Sequence, residues 1–287
     1  MPTLLPEPWE TQFLTFLFVY MRVNGLIFSV PVLSNDSVLG PVKTGLAFFV
    51  SIILIAPLIG LQEPADGLLT PVVRSDYQHF IAIVLALAGE FAIGFAIGFI
   101  GTMIVQTMGL AGEVIGQQAG FSAASVFDPV TGQDTFLMAQ VQTLFGTMIF
   151  IVVGGPEIAL RILANSFQLV PPGAGFSMPA WAAAAYETLI VSESGSSTLV
   201  RMMYDVAVRI AAPIMAAMFL TSLSEAFLAR TAPQLNILVV GFAIRIGIGL
   251  TVLWVGFPMA IMSYRDFIGR FESIAVTFLE RMASFAG

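Results

Sequence analysis

The chain has 287 residues, of which 57% are apolar and 10% charged, where an ordinary soluble domain carries about 25% charged. Its 11 Lys and Arg against 18 Asp and Glu leave a net charge of −7, which argues against nucleic acid, and 0 Cys excludes a disulfide framework or a thiolate site. A mean hydropathy of +0.93 implies more apolar surface than a soluble fold of this size can hide, and far too much for a disordered chain. The expected fold is therefore all-α: a polytopic membrane-protein helical bundle, a single domain over 1–287 with about six long apolar helices, some broken.

Met1 to Glu10 contains Glu7 and Glu10 but no Lys or Arg, so it lacks the positive start of a cleaved leader, and the first apolar segment is expected to stay with the chain. Windows of about 20 apolar residues fall at 11–33, 42–62, 80–120, 136–163, 199–229 and 235–263. Turn signals separate them: Pro31 to Pro41 with Asn35-Asp36, Glu63-Pro64 through Pro71, and Phe127-Asp128-Pro129 through Gly132. Pro171-Pro172-Gly173 to Pro179 precedes an Ala-rich stretch, Trp181 to Tyr186. Ser192 to Ser197 reads as a polar loop and Ala232-Pro233 as a helix boundary. The third window is too long for one crossing, because forty residues of helix span about 60 Å; it must tilt, break or leave the bilayer. The acidic start favours the outside and Arg265, Arg270 and Arg281 a cytoplasmic end, which six crossings cannot both satisfy.

Six charges interrupt the apolar windows: Arg22, Glu90, Glu113, Arg209, Glu225 and Arg245. Each costs about 2.5–3.5 kcal/mol at a bilayer centre, so all six are expected to face protein or water. They suit structural pairs within or between subunits, an ion or proton path, or hydration of a pore. Gly94, Gly98 and Gly101 stripe one face of the third window with Glu90 one turn before them, and Gly112, Gly116 and Gly120 repeat the spacing. Gly241, Arg245 and Gly249 do the same in the sixth. Glycine faces let helix backbones approach closely, and a charge on each marks it as inward-facing. Glu90 and Arg245 become a candidate pair.

Motifs for catalysis are missing: no H-E-x-x-H, G-x-S-x-G, P-loop or nucleotide-binding glycine fingerprint occurs. No catalytic residue, metal site or cofactor is expected. The lone His79, beside Tyr77 and Gln78, reads as an interfacial polar residue. The 25 Phe and 14 Met suit lipid contact and core packing. The stretch from Gly120 through Phe121 and Phe127 to Pro129 differs. Small residues between two phenylalanines make a compact apolar loop, tolerated at membrane depth only against protein or a cavity.

Ala229-Arg-Thr-Ala-Pro-Gln-Leu-Asn-Ile-Leu-Val-Val-Gly241 resembles the signature segment of the FliR family, the flagellar type III export-gate proteins related to the SctT family of injectisomes. Further matches run in the family's order: Arg22-Val-Asn-Gly-Leu26 with Pro31-Val32; Ala111-Gly-Glu-Val-Ile-Gly-Gln-Gln118; Gly120-Phe-Ser122 with Asp128-Pro129; and Ser166-Phe167 before Pro171-Pro172-Gly173. The resemblance covers roughly 12–265. The chain departs from the family at Ala243 and Arg245, where Pro and Lys are frequent, and at Pro156-Glu157, where a histidine often follows the paired glycines.

The resemblance implies a non-enzymatic core subunit of the flagellar export gate, which helps to form and close a channel for unfolded flagellar proteins. It implies assembly with FliP-like and FliQ-like subunits, alongside FlhA-like and FlhB-like components. It places the assembly in the bacterial inner membrane at the flagellar basal body, partly raised towards the periplasm. By position it makes 120–129 the channel plug, with Phe121, Val126 and Phe127 as the plugging side chains. A virulence secretion subunit and a proton-coupled secondary transporter remain as alternatives, the latter from the buried charges and broken helices.

Overall fold

A computed structural model of the chain describes residues 8–34, 38–61, 77–120, 137–173, 178–189, 198–231 and 237–286. Among these residues every regular element is an α-helix: α1 (Pro8–Ser29), α2 (Gly40–Leu61), α3 (Tyr77–Gln118), α4 (Leu137–Val152), α5 (Gly155–Leu169), α6 (Met178–Leu189), α7 (Leu199–Thr231), α8 (Ile237–Ile268) and α9 (Phe271–Ala286).

The third window forms one unbroken helix of 42 residues, about 60 Å long at 1.5 Å per residue and twice the bilayer's hydrocarbon core. The fourth window, expected as one span, is broken. Gly154 takes a left-handed φ of 88°, and Pro156 opens α5 without an N–H to give back to the preceding turn. Helices α7 and α8 continue through internal prolines, Pro213 and Pro258. Among the described residues four stretches are long and apolar enough to cross a membrane: Gln12–Ser29, Ile83–Gln118, Leu199–Thr231 and Val240–Ser284. A fifth is added if α4 and α5 together count as one span, and Gly40–Ile55 is shorter. Among the described residues the apolar helices thus account for four spans, or five with the broken pair, in keeping with the polytopic helical bundle expected. The second window forms the 22-residue α2, and the fourth qualifies only as a broken pair.

The chain divides into two compact units. One unit comprises 1–102, 154–198 and 271–287; the other comprises 103–153 and 199–270. Helix α3 contributes its first part to the former and its remainder to the latter.

In the first unit α1 packs along α2, and α9 packs on α6 and α5. Its core holds Phe18, Val23, Leu26, Ile97, Ile162 and Leu163. Helix α9 buries Phe271, Ile274, Ala275, Phe278, Leu279 and Met282, a stripe at helical spacing. Arg281 lies 3.6 Å from Glu187 of α6. In the second unit α7 packs along α8, around a core of Ile115, Ala119, Ala211, Ile214 and Met218. Tyr264 is fully buried there and donates its hydroxyl to the Gly146 carbonyl at 3.3 Å.

Large apolar side chains remain exposed on the isolated chain, among them Phe49, Ile53, Leu144, Phe219, Trp254 and Met262. Their number on α2, α4, α7 and α8 exceeds what a soluble monomer tolerates as patches. Lipid and partner proteins are the surroundings that can cover them.

Candidate functional site

Two charge clusters, one in each unit, bring together four of the six charges that interrupt the apolar windows. In the first unit the Arg22 side chain is fully buried and that of Glu90 is 4% exposed. Arg22 Nε donates to Glu90 Oε2 at 2.6 Å, and Nη1 donates to Ser166 Oγ at 3.1 Å. The other carboxylate oxygen, Oε1, accepts the backbone N–H of Gly173 at 2.9 Å. Ser166 Oγ in turn donates to the Leu163 carbonyl. The guanidinium carbon of Arg22 sits 4.4 Å from the centre of the Phe167 ring, a cation–π contact. Three hydrogen bonds, one of them the ion pair, thus tie α1, α3, α5 and the turn after α5 together.

The sequence permits this because glycine removes the obstacles. A Cβ at Gly94 would collide with the Arg22 carbonyl oxygen, and one at Gly25 with the Phe91 carbonyl oxygen. Helices α1 and α3 therefore meet backbone to backbone, which sets the Arg22 and Glu90 side chains within hydrogen-bond reach. One turn further on, Gly98 faces Ser29 Oγ, and Thr102 Oγ1 donates to the Ser29 carbonyl. Gly173 has a φ of 79°, and a Cβ there would stand 3.0 Å from the Phe18 ring. Its left-handed turn aims the N–H at Glu90.

In the second unit Arg245 of α8 grips Glu225 of α7 with a fork. Nε lies 3.1 and 3.0 Å from the two carboxylate oxygens, and Nη2 donates to Oε2 at 2.6 Å and to Ser222 Oγ at 3.1 Å. A Cβ at Gly241 would approach Glu225 Oε1 to 3.0 Å, so this glycine makes room for the carboxylate one turn before its partner arginine. The Arg245 side chain is 33% exposed and that of Glu225 14%. The fork is thus less enclosed than the Arg22 cluster. Gly120, with a φ of 83°, ends the second-unit part of α3 beside Arg245 and Phe242.

The pairing expected between Glu90 and Arg245 is corrected: Glu90 is held by Arg22, and Arg245 by Glu225. Each glycine face does carry a charge, but a face specifies no partner helix. Arg209 lies on an exposed face and pairs with Asp205 one turn away at 3.0 Å, rather than in the interior. Glu113 is half-buried and receives a hydrogen bond from Gln117 Nε2 at 3.5 Å. Phe121, Val126 and Phe127 lie outside the described residues.

Reading charges alone missed Ser166, Phe167, Gly173 and Ser222 as members of the two clusters. For the first three the signal was present: Ser166-Phe167 and Pro171-Pro172-Gly173 belong to the segments that resemble the family, as does Arg22. All three segments converge on one ion pair. What the clusters do chemically is hold helices at fixed spacing without presenting a bare charge to an apolar medium.

A family model described as bacterial export proteins, family 1, matches residues 13–271. The chain is 27% identical to the flagellar biosynthetic protein FliR of Bacillus subtilis over 84% of this chain and 85% of that protein. It is 28% identical to the flagellar biosynthetic protein FliR of Escherichia coli over 88% of each. It is also 26% identical to the secretion system apparatus protein SsaT of Salmonella typhimurium, over 62% of this chain and 65% of that one.

Proposed function

The chain belongs to the bacterial export proteins, family 1, and we propose that it is a structural core subunit of the flagellar type III protein export gate. In that role it helps to form and close the channel through which unfolded flagellar proteins leave the cytoplasm. The observation that carries this reading is the combination of locked and naked surfaces. Arg22 and Arg245 are each paired with a carboxylate of the same chain, whereas broad apolar faces of α2, α4, α7 and α8 lie open. A proton or solute carrier needs ionisable groups free to change partners at membrane depth. A subunit of an assembly needs apolar faces for neighbours and lipid.

The finer assignment is supported by the flagellar relatives, 27% and 28% identical over 84% and 88% of the chain, whereas SpaR of Shigella flexneri is 23% identical over 83% of it and SsaT 26% over 62%. An injectisome subunit is the second reading. The partners are FliP-like and FliQ-like gate subunits, with FlhA-like and FlhB-like components in the same apparatus. The site is the inner membrane at the flagellar basal body, partly raised towards the periplasm. The segment after Gly120 serves as the plug through Phe121, Val126 and Phe127, sealing the resting channel by excluding water.

Two experiments test this. Expressed with its FliP-like and FliQ-like partners and purified in detergent, the chain is expected in a stable large particle containing one copy of it. A monodisperse monomer or homodimer, indifferent to those partners, overturns the gate reading. The double variant Phe121→Ala/Phe127→Ala is expected to make membranes containing the resting complex leak ions, measured as dye or ion flux from vesicles. Unchanged permeability removes the plug assignment and leaves the subunit assignment standing.

A further inference from the structure

Within the second unit the later part of α3, α4 and the start of α7 enclose an open groove of about 910 Å³, lined among others by Met103, Gln106, Glu113, Gln140, Leu144 and Tyr204. Its walls are mostly apolar, and Leu144 and Tyr204 present 63% and 57% of their surface to it and to the outside. Its α3 wall repeats at 103, 106, 110 and 113, a row about 15 Å long at 1.5 Å per residue. That length matches two to three turns of an incoming helix. Gly109 forms part of the wall, and a Cβ there would strike Thr143 Oγ1 at 2.5 Å, so α3 and α4 are held together and the groove is built into the unit.

The groove carries one carboxylate, Glu113. Among the described residues none of the ion pairs includes it, although Glu90 and Glu225, the other carboxylates of the apolar windows, each hold an arginine. Its side-chain neighbour is the Gln117 amide at 3.5 Å. An ionised carboxylate on an apolar helix without a counter-charge costs about 2.5–3.5 kcal/mol at bilayer depth. A lipid chain laid in the groove would cover Leu144 and Tyr204 but leave Glu113, Gln106 and Gln140 facing hydrocarbon.

We propose that this groove is the seat of a transmembrane helix from a partner export-gate subunit, and that one Lys or Arg on that helix pairs with Glu113. The proposal rests on the gate reading given above and adds to it the surface, the anchoring residue and the chemistry of the partner. The apolar side chains of the incoming helix fill the Met103–Leu144–Tyr204 walls, and the groove amides orient its cation beside the carboxylate.

The test uses the full chain co-expressed with the other gate subunits. A photo-crosslinking amino acid at Leu144 or at Tyr204 is expected to join the chain to one apolar segment of a partner subunit, identified by mass spectrometry, that contains a Lys or Arg. Glu113→Lys is expected to lower recovery of that subunit on the order of thirtyfold, as removal of one member of an enclosed charge pair does. Glu113→Gln is expected to lower it less. Exchanging charges, with Glu113→Lys and the partner's cation changed to Glu, is expected to restore recovery. Crosslinks to lipid, to a second copy of this chain, or to a segment without a cation overturn the proposal. So does full recovery with Glu113→Lys. If the unaltered chain forms no particle with the partners, the gate reading itself fails. If it forms the particle and the crosslinks miss, only the groove assignment fails.

Discussion

Arg22→Met is expected to destabilise the protein by about 3–5 kcal/mol, the range for breaking a buried ion pair from one side. The substitution keeps the volume of the side chain and removes its charge. It leaves the Glu90 carboxylate, 4% exposed, with the Gly173 N–H as its remaining partner. Glu90→Gln is expected to cost a similar amount, because the Arg22 cation is then buried against a neutral amide. The double variant Arg22→Met/Glu90→Leu is expected to be more stable than either single variant, since no uncompensated charge remains. Its residual loss is the freed Gly173 N–H and the vacated Ser166 contact. Reversal, Arg22→Glu with Glu90→Arg, is expected to fail as a rescue: an arginine at 90 has no oxygen to accept from Gly173. Thermal unfolding of the detergent-solubilised protein, alone and in its assembly, measures all four. Equal stability of the reversed pair and the original would mean that the cluster is a simple Coulomb pair with no role for the Gly173 turn.

That cluster also marks how far the sequence could be read. The helical class and five of the six window positions were legible, because long apolar runs are local properties of the chain. The break at Gly154 was written in the sequence too, as Gly154-Gly155-Pro156, but a hydropathy window averages over it. Helix α9 escaped for a related reason. Its buried residues recur at helical spacing among charged ones, so it lies in no continuous apolar run. The glycine stripe at Gly94 and Gly98 correctly announced a close approach. It could not announce Arg22 as what approaches, since a periodic face states that a neighbour exists and leaves its identity to the fold. For the same reason Arg209, alike in sequence to Arg245, turned out to pair along its own helix on an exposed face. Of the candidate site, the charged members were legible. Their hydroxyl, aromatic and backbone partners were not, because Ser166, Phe167 and Gly173 become a site only when α5 folds against α1 and α3.

Gly94→Ala is expected to be severe although it adds one methyl group. The new Cβ would collide with the Arg22 carbonyl oxygen and stand 2.8 Å from the Arg22 carbonyl carbon. A backbone carbonyl cannot rotate away as a side chain can, so α1 and α3 must separate, and the arginine that has to move is the one holding Glu90. Overpacking costs typically about 1–3 kcal/mol, and loss of the ion-pair geometry adds to it. Gly25→Ala meets the Phe91 carbonyl and the Phe95 N–H and is expected to follow closely. Gly98→Ala meets the Ser29 hydroxyl, which can turn, and the Leu26 carbonyl oxygen and Val30 nitrogen, each at 2.9 Å. Its backbone contacts are wider than that at Gly94, so it is expected to cost less. Gly247→Ala and Gly256→Ala have nothing within 4 Å of the added methyl. In a helix interior alanine is favoured over glycine by about 0.5–1 kcal/mol, so these two are expected to be neutral or slightly stabilising. The series therefore separates two explanations for glycine in apolar helices. If glycine serves general helix flexibility, all five substitutions shift the unfolding temperature in the same direction. If it serves backbone contact at named positions, the loss is largest at 94, smaller at 98 and absent at 247 and 256. The same order should appear in recovery of the assembled particle, because the α1–α3 contact carries the charge that would otherwise face an apolar medium.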